Sequence, residues 1–140
     1  VEAEAAACLY KGAAAGDGKP RIVDGDMQTI MAGLACGEPN TISWDILKNH
    51  VKMFVAAPDW VAAQGMRMLG APIKGDPAIT SGESGAAPFG ALSVLMTSDD
   101  CADVRKELGL DETANVLVFS TEGDTDPQRY KNIVWKGLDK

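Results

Sequence analysis

An apolar run that leads into a hydroxyl-rich turn and then an amphipathic segment most constrains how this chain can fold. The run is residues 116–119, the turn is residues 120–127, and the amphipathic segment is residues 129–135. The pattern predicts a buried strand over residues 115–120 and a terminal helix over residues 126–135. Ligands of open α/β sheets bind where strands end, so the turn is the first candidate for a binding site.

The rest of the chain predicts helices that alternate with short strands. The predicted helices span residues 4–15, 41–50, 59–69, 85–96 and 99–108, and the predicted strands span residues 21–23 and 51–57. Residues 29–34 fit either a strand or a helix. We expect Asp59 and a Thr or Ser near position 41 to cap their helices, and Pro88 to lie in a first helical turn. The alternation predicts an α/β fold of parallel-sheet layers with flanking helices, in one domain over residues 1–140.

Composition and charge exclude several classes of function. The 140 residues are 46% hydrophobic and 24% charged, which is typical of a globular domain with its own core. The net charge of -7, without a cluster of Lys and Arg, argues against a nucleic-acid partner. No apolar run is long enough to span a bilayer, so we expect no membrane partner and a cytoplasmic location.

The cysteines and the single histidine indicate neither a metal site nor a catalytic triad. Cys8, Cys36 and Cys101 lie far apart without CxxC spacing, and the chain lacks a complete calcium loop. Reduced thiols are therefore expected, and His50 is predicted to be a solvated surface residue. We nevertheless expect Cys8 and Cys36 to be neighbours, because a helix and a loop that follow adjacent parallel strands meet at one sheet edge.

Two further turns of small residues border apolar segments. Residues 81–86 precede the apolar helix, where unpaired N–H groups favour an anion or a polarised oxygen, although a simple helix cap has the same pattern. Glu83 stands out there, because a carboxylate beside an apolar helix needs a partner. Around Gly33 no large side chain occurs, which suits either close approach of a flat ligand or ordinary packing.

These segments, in this order, resemble the diaminopropionate ammonia-lyase family of fold-type II pyridoxal 5'-phosphate (PLP) enzymes. The matching stretches are residues 33–39, 81–85, 120–127 and 133–135. The resemblance covers all 140 residues and implies the C-terminal part of a tryptophan synthase beta-like fold. It also implies a PLP-dependent lyase, homodimeric when complete, that removes the α-proton of 2,3-diaminopropionate and eliminates ammonia, with pyruvate as the carbon product.

The resemblance also implies a set of residues that line the cofactor. Ser120, or alternatively Thr121, would offer a neutral hydroxyl to the pyridine nitrogen. The turn at Gly33 would run along the cofactor ring, and Glu83 would lie near its O3′ and imine side. The implied cofactor-binding residues are Ser120, Thr121, Gly33, Leu34, Glu83 and Ser84.

The family's Schiff-base lysine and its Gly-rich phosphate loop have no counterpart in this chain. The resemblance therefore implies that the N-terminal part of the enzyme is absent, that the chain holds no catalytic residue, and that it is inactive alone. Two alternatives stay open. One is a catalytically dead remnant that serves as a binding or oligomerisation module, and the other is a different PLP-dependent β-eliminase of the same superfamily.

Overall fold

The computed structural model describes residues 1–139, which form two compact units. The first unit spans Val1–Asp59, and the second begins at Trp60. Helices dominate both units, and a small parallel sheet lies in the first. The α/β class predicted from the sequence is thus recovered in a coarse form, as helices with one parallel strand pair. No helix among residues 1–139 is long and apolar enough to cross a bilayer.

The first unit is built around one parallel strand pair and two helices. Its elements are β1 (Glu2–Ala3), a 3-10 turn (Glu4–Ala6), α1 (Cys8–Ala15), a second 3-10 turn (Ala32–Leu34), α2 (Thr41–His50) and β2 (Ala56–Ala57). Glu2 pairs with Ala56 and Ala3 with Ala57, in parallel register. Buried Trp44 anchors α2, because its indole N–H donates to the Gly18 carbonyl at 2.9 Å.

The second unit consists of helices joined by extended segments. Its elements are α3 (Asp59–Gly70, which starts at the last residue of the first unit), α4 (Glu83–Thr97), a 3-10 turn (Asp99–Cys101), α5 (Ala102–Leu108) and α6 (Pro127–Val134). Two glycines let α3 and α4 pack closely. A methyl group on Gly65 would strike the Ala86 carbonyl, and one on Gly90 would strike the Val61 carbonyl. The mostly apolar faces of α4 are thereby buried at Ala86, Ala87 and Ala91.

The predicted strands are shorter than expected or do not form. Residues 21–23 and 115–120 are extended but belong to no sheet, and the strand predicted at 51–57 is reduced to Ala56–Ala57. A strand needs a neighbour for its backbone hydrogen bonds, and the described residues supply one only for β1 and β2. Parallel layers of sheet are therefore absent from residues 1–139.

The predicted helices form, with corrections at their ends. The helix expected over residues 4–15 is interrupted at Ala7, and the helix expected over residues 99–108 starts as a 3-10 turn. Residues 29–34 become a 3-10 turn at Ala32–Leu34 rather than a strand. The terminal helix begins one residue later than expected, at Pro127, because Asp126 serves as its N-cap.

Three local expectations within the helices are wrong. The cap of α2 is Asn40, whose side chain accepts from the Ser43 amide, and not a Thr or Ser. The Asp59 carboxylate accepts from the Thr29 hydroxyl at 2.5 Å and from the Ile30 amide at 3.1 Å, so it fixes that loop. Pro88 lies in the second turn of α4, because the helix starts at Glu83, ahead of the predicted first residue.

Candidate functional site

The turn that carries Ser120 docks against the first turn of α4 in the second unit. The hydroxyl oxygens of Ser81 and Ser120 lie 2.8 Å apart and share a hydrogen bond. The Gly82 amide donates to the Glu122 carbonyl at 3.0 Å. Ser81 is fully buried whereas Ser120 is exposed. The buried Ser81 hydroxyl is thus bonded to an accessible one, and among residues 1–139 the partners of these two hydroxyls are each other and backbone carbonyls.

The carboxylate of Glu122 closes the N-terminus of α4. It accepts from the Ser84 amide at 2.6 Å and from the Gly85 amide at 3.4 Å, the second and third residues of the helix. The N-cap residue, Gly82, has no side chain that could do this. The sequence predicts that this helix end favours an anion, and the chain supplies that anion itself.

Two glycines make the docking possible. A methyl group on Gly82 would strike the Gly123 carbonyl and come within 2.8 Å of the Glu122 Cγ. One on Gly85 would lie 2.8 Å from the Ser81 Oγ and 3.1 Å from the Thr121 nitrogen. The turn therefore rests on backbone that only glycine leaves open.

Glu83 has the partner that its position demands. Its carboxylate lies 3.3 Å from the Arg129 Nε, with 13% of the Glu83 side chain and 44% of the Arg129 side chain exposed. Arg129 is in the first turn of α6, where its amide also donates to the Asp126 carboxylate at 3.0 Å. The ion pair therefore links the start of α6 to the start of α4, on either side of the Ser120 turn.

The other predicted cofactor residues, Gly33 and Leu34, lie in the first unit, in the 3-10 turn Ala32–Leu34. The Leu34 amide donates to the Met31 carbonyl at 2.8 Å, and Gly33 is exposed. Both residues line a cavity of about 250 Å³ together with Cys8 and Cys36. The predicted convergence of Gly33 with Glu83 and Ser120 stays a prediction.

The predicted contact between two cysteines is confirmed. The buried Cys8 thiol lies 3.4 Å from the Cys36 carbonyl oxygen and 3.7 Å from a Glu2 carboxylate oxygen, and both cysteines are free thiols. Burial, followed by the negative charge of Glu2, raises the pKa of Cys8 above the ordinary 9.0. This thiol is consequently protonated, and unreactive as a nucleophile, at neutral pH.

Glu2 also closes a helix end. Its carboxylate accepts from the amides of Leu9 at 2.9 Å and Tyr10 at 2.7 Å, the second and third residues of α1. The N-cap residue of α1 is Ala7, which offers no side-chain acceptor. Each unit thus contains a helix whose first turn is satisfied by a glutamate from outside the helix.

Sequence reasoning missed three residues of the second-unit site. Ser81, Glu122 and Arg129 were given no role, although Ser81 and Glu122 belong to the two motifs that were singled out. Their partners are 39, 38 and 46 positions away, and no periodicity or spacing reports such contacts. The signal in the sequence was Glu83, because a carboxylate beside an apolar helix requires a partner.

His50 is exposed, as predicted.

Metal-binding geometry is not found in the described part of the chain. Within residues 1–139, no group of three or more His, Cys, Asp or Glu side chains is placed to hold a metal ion.

Comparison with solved structures gives the class of protein that the chain resembles. No protein-family model matches the chain. The fold is similar, with a TM-score of 0.87 and 44% identity, to an Escherichia coli enzyme crystallised with an aminoacrylate-PLP azomethine reaction intermediate. The same enzyme in complex with D-serine gives a TM-score of 0.87 and 43% identity. The chain is covered to 99% in both alignments, so it is similar throughout to part of a PLP-dependent lyase.

That lyase is diaminopropionate ammonia-lyase. The curated enzyme of Salmonella typhimurium is 51% identical over 138 residues, and that of Escherichia coli K12 is 48% identical over 139 residues. Each alignment covers 98% of this chain and 34% of the relative. The resemblance recognised in the sequence is confirmed, and the chain spans about a third of the length of the curated relatives it matches.

Proposed function

We propose that this chain forms one wall of the active site of a PLP-dependent ammonia-lyase that converts 2,3-diaminopropionate to pyruvate and ammonia. In this proposal it is the C-terminal part of a tryptophan synthase beta-like fold. The 51% identity over 98% of the chain to the Salmonella typhimurium enzyme supports the reaction. Because the chain covers only 34% of that relative, the activity is proposed for a complete enzyme rather than for these residues alone.

The observation that carries the proposal is the neutral environment of Ser120. Its exposed hydroxyl is bonded to the buried Ser81 hydroxyl at 2.8 Å, and the nearby Glu122 carboxylate is occupied by two amides of α4. A hydroxyl in this setting can donate to an unprotonated pyridine nitrogen. A carboxylate there would instead hold a proton on that nitrogen. The residues present therefore fit PLP held at a neutral pyridine nitrogen.

When bound, PLP supplies the electron sink that allows the α-proton to leave. In the proposed site the hydroxyl of Ser120, with Thr121 as the alternative, would donate to an unprotonated pyridine nitrogen, and a neutral nitrogen would make the sink weaker and restrain transamination. Gly33 and Leu34 would lie along the ring. Glu83 would lie near its O3′ and imine side, where the pairing with Arg129 orients the Glu83 carboxylate, and Ser84 would also line the cofactor. Proton abstraction and the covalent lysine link have no candidate residue here.

A chimera tests the proposal directly. This chain would replace the matching third of the Salmonella typhimurium enzyme, and pyruvate release from 2,3-diaminopropionate would be measured. We expect activity, and we expect Ser120→Ala to reduce kcat/KM on the order of 10²-fold, as loss of a hydrogen bond to a reacting system does. A folded chimera that binds PLP but leaves 2,3-diaminopropionate unchanged would contradict the proposed substrate.

The same chimera separates the proposal from a different β-eliminase. Serine and 2,3-diaminopropionate would be offered in parallel, and the ratio of their kcat/KM values would be compared with that of the unaltered Salmonella typhimurium enzyme. A chimera that keeps the cofactor but prefers serine would assign the chain to another member of the superfamily.

A binding or oligomerisation module is the second candidate, and one observation favours it. Residues 116–119 form an exposed apolar run, with Leu117 79% and Phe119 70% exposed. A run of this kind fits an interface. The module reading requires that the 140-residue chain associate with itself or a partner without any catalytic contribution. An active chimera would count against it.

The proposal also includes the setting of the complete enzyme, which would be a cytoplasmic homodimer. Support comes from the similarity to the Salmonella typhimurium and Escherichia coli enzymes. The native mass of the chimera would test the dimer. A monomeric but fully active chimera would remove it from the proposal.

A further inference from the structure

Glu122 binds the first turn of α4 through both its main chain and its side chain. Its carbonyl accepts from the Gly82 amide at 3.0 Å, and its carboxylate accepts from the Ser84 amide at 2.6 Å. The carboxylate bond spans 38 positions of the chain. By contrast, α2 and α6 are capped by their own N-cap residues, Asn40 and Asp126. Glu122 therefore fixes a distant segment as well as satisfying a helix end.

The segment that Glu122 fixes carries the two hydroxyls of the candidate site. Thr121 immediately precedes it, and Ser120 is held from the other side by Ser81. Residues 111–121 are all exposed, so packing contributes little to the position of these hydroxyls. The position of Ser120 and Thr121 is set by the hydrogen bonds of Glu122 and Ser81, together with the close backbone contacts of the turn at Gly82 and Gly85.

We propose that Glu122 is a positioning residue for the Ser120 and Thr121 hydroxyls, acting through the N-terminus of α4. The inference rests on the proposed function, in which one of these hydroxyls meets the pyridine nitrogen. The negative charge of Glu122 lies at the positive end of the α4 dipole, which strengthens the two amide bonds.

The experiment uses the 140-residue chain, labelled with 15N, without any added cofactor. Amide hydrogen exchange and NMR shifts are compared in the wild type, Glu122→Ala and Glu122→Gln. The matched control is Asp126→Ala, which removes a carboxylate-to-amide cap bond from α6 a few residues further along. Both alanine variants lose a carboxylate that caps a helix, so a role in capping alone predicts that each variant disturbs only the amides of its own helix end.

We expect Glu122→Ala to speed exchange at Ser84 and at Gly82 on the order of tenfold, the loss expected for a charged hydrogen bond. The Ser120 and Thr121 resonances should move with them. Glu122→Gln keeps an acceptor without the charge, so it should restore part of the protection. Asp126→Ala should affect the Arg129 amide and leave Gly82, Ser120 and Thr121 unchanged.

Two results would overturn the positioning role. In the first, Ser84 exchanges faster in Glu122→Ala while Gly82, Ser120 and Thr121 keep wild-type behaviour, which makes Glu122 a helix cap only. In the second, Asp126→Ala disturbs Ser120 and Thr121 as much as Glu122→Ala does. If Glu122→Ala does not fold, Glu122→Gln is compared with Asp126→Ala instead, and smaller changes in exchange and in the resonances are expected.

A second arm of the experiment adds PLP and separates this inference from the proposed function. PLP should shift the Ser120 or Thr121 resonances of the wild type, with an apparent Kd at least about fivefold weaker in Glu122→Ala and unchanged in Asp126→Ala. A wild-type chain in which PLP shifts neither residue would count against the proposed cofactor wall. The cofactor-free exchange data would still decide whether Glu122 positions the turn.

Discussion

Glu2 in the first unit and Glu122 in the second each cap the N-terminus of a helix, but they differ in how far along the sequence that helix lies. Each carboxylate accepts from the second and third amides of a helix whose N-cap residue, Ala7 or Gly82, cannot do so. Glu2 lies seven residues from its Leu9 partner, whereas Glu122 lies 38 residues from Ser84. The first therefore organises its own neighbourhood, and the second brings two separate segments together.

The surroundings of the two glutamates also differ in chemistry. Glu2 lies beside the buried Cys8 thiol and raises its pKa, so the first unit holds a protonated, inert sulfur. Glu122 lies beside the Ser81 and Ser120 hydroxyls, which carry no charge. Glu122, which caps a distant helix beside neutral hydroxyls, fits a role in a ligand site. Glu2, which caps a nearby helix beside a thiol, fits a role in local structure.

The strongest way to break the second-unit arrangement is Gly82→Ala. The added methyl would strike the Gly123 carbonyl and press on the Glu122 side chain. We expect a loss of about 2 kcal/mol in the free energy of unfolding, measured by urea denaturation, because an overpacked backbone contact has to separate.

The matched control is Gly123→Ala in the same turn. A methyl group there meets nothing within 4 Å, and Gly123 does not have a positive φ. Its effect should stay within about 0.5 kcal/mol. Equal losses in the two variants would mean that the turn is not docked on α4 as described.

The fold could be predicted from the sequence wherever a pattern is local. Residues 41–50 are helical to the residue, because Ile42, Ile46 and Leu47 repeat at helical spacing and the helix is bounded by polar residues. The strand predicted over residues 115–120 does not form. An apolar, β-branched run indicates a strand, but it cannot show whether a neighbouring strand is present. Strand pairing is a property of two segments, and the described residues supply no second strand for this run.

The candidate site was predicted in its motifs but not in its contacts. The sequence indicates Ser120 and Glu83 as site residues, because one lies in a hydroxyl-rich turn and the other is a carboxylate beside an apolar helix. Their partners, Ser81 and Arg129, look ordinary there and acquire a role only through tertiary packing. Ion pairs and hydroxyl pairs between residues about 40 positions apart leave no periodic signal.

A smaller effect is expected when the first-unit cap is removed by Glu2→Ala. The amides of Leu9 and Tyr10 lose their acceptor, which should lower the free energy of unfolding by about 1 kcal/mol. Because Glu2 is also a cause of the raised Cys8 pKa, that pKa should fall towards 9.0 in the variant. Urea denaturation and a thiol titration at 240 nm would measure the two changes.

Glu4→Ala is the control for Glu2→Ala, because Glu4 is exposed on the adjacent 3-10 turn. It should leave the Cys8 pKa where it is. The comparison between the two units would be weakened by an unchanged Cys8 pKa in Glu2→Ala, since the thiol would then owe its state to burial alone.

The smallest expected effect is the dependence of stability on the ionisation of Cys8. Its pKa is raised in the folded chain above the ordinary 9.0, first by burial and then by the charge of Glu2. A group with a raised folded pKa contributes stability that is complete below its unfolded pKa and is lost as pH rises through the folded value. The stability difference between the wild type and Cys8→Ala should therefore be flat below pH 9.0 and shrink above it. A difference that already changes near neutral pH would mean that Cys8 ionises there, and the contrast between an inert thiol in one unit and accessible hydroxyls in the other would disappear.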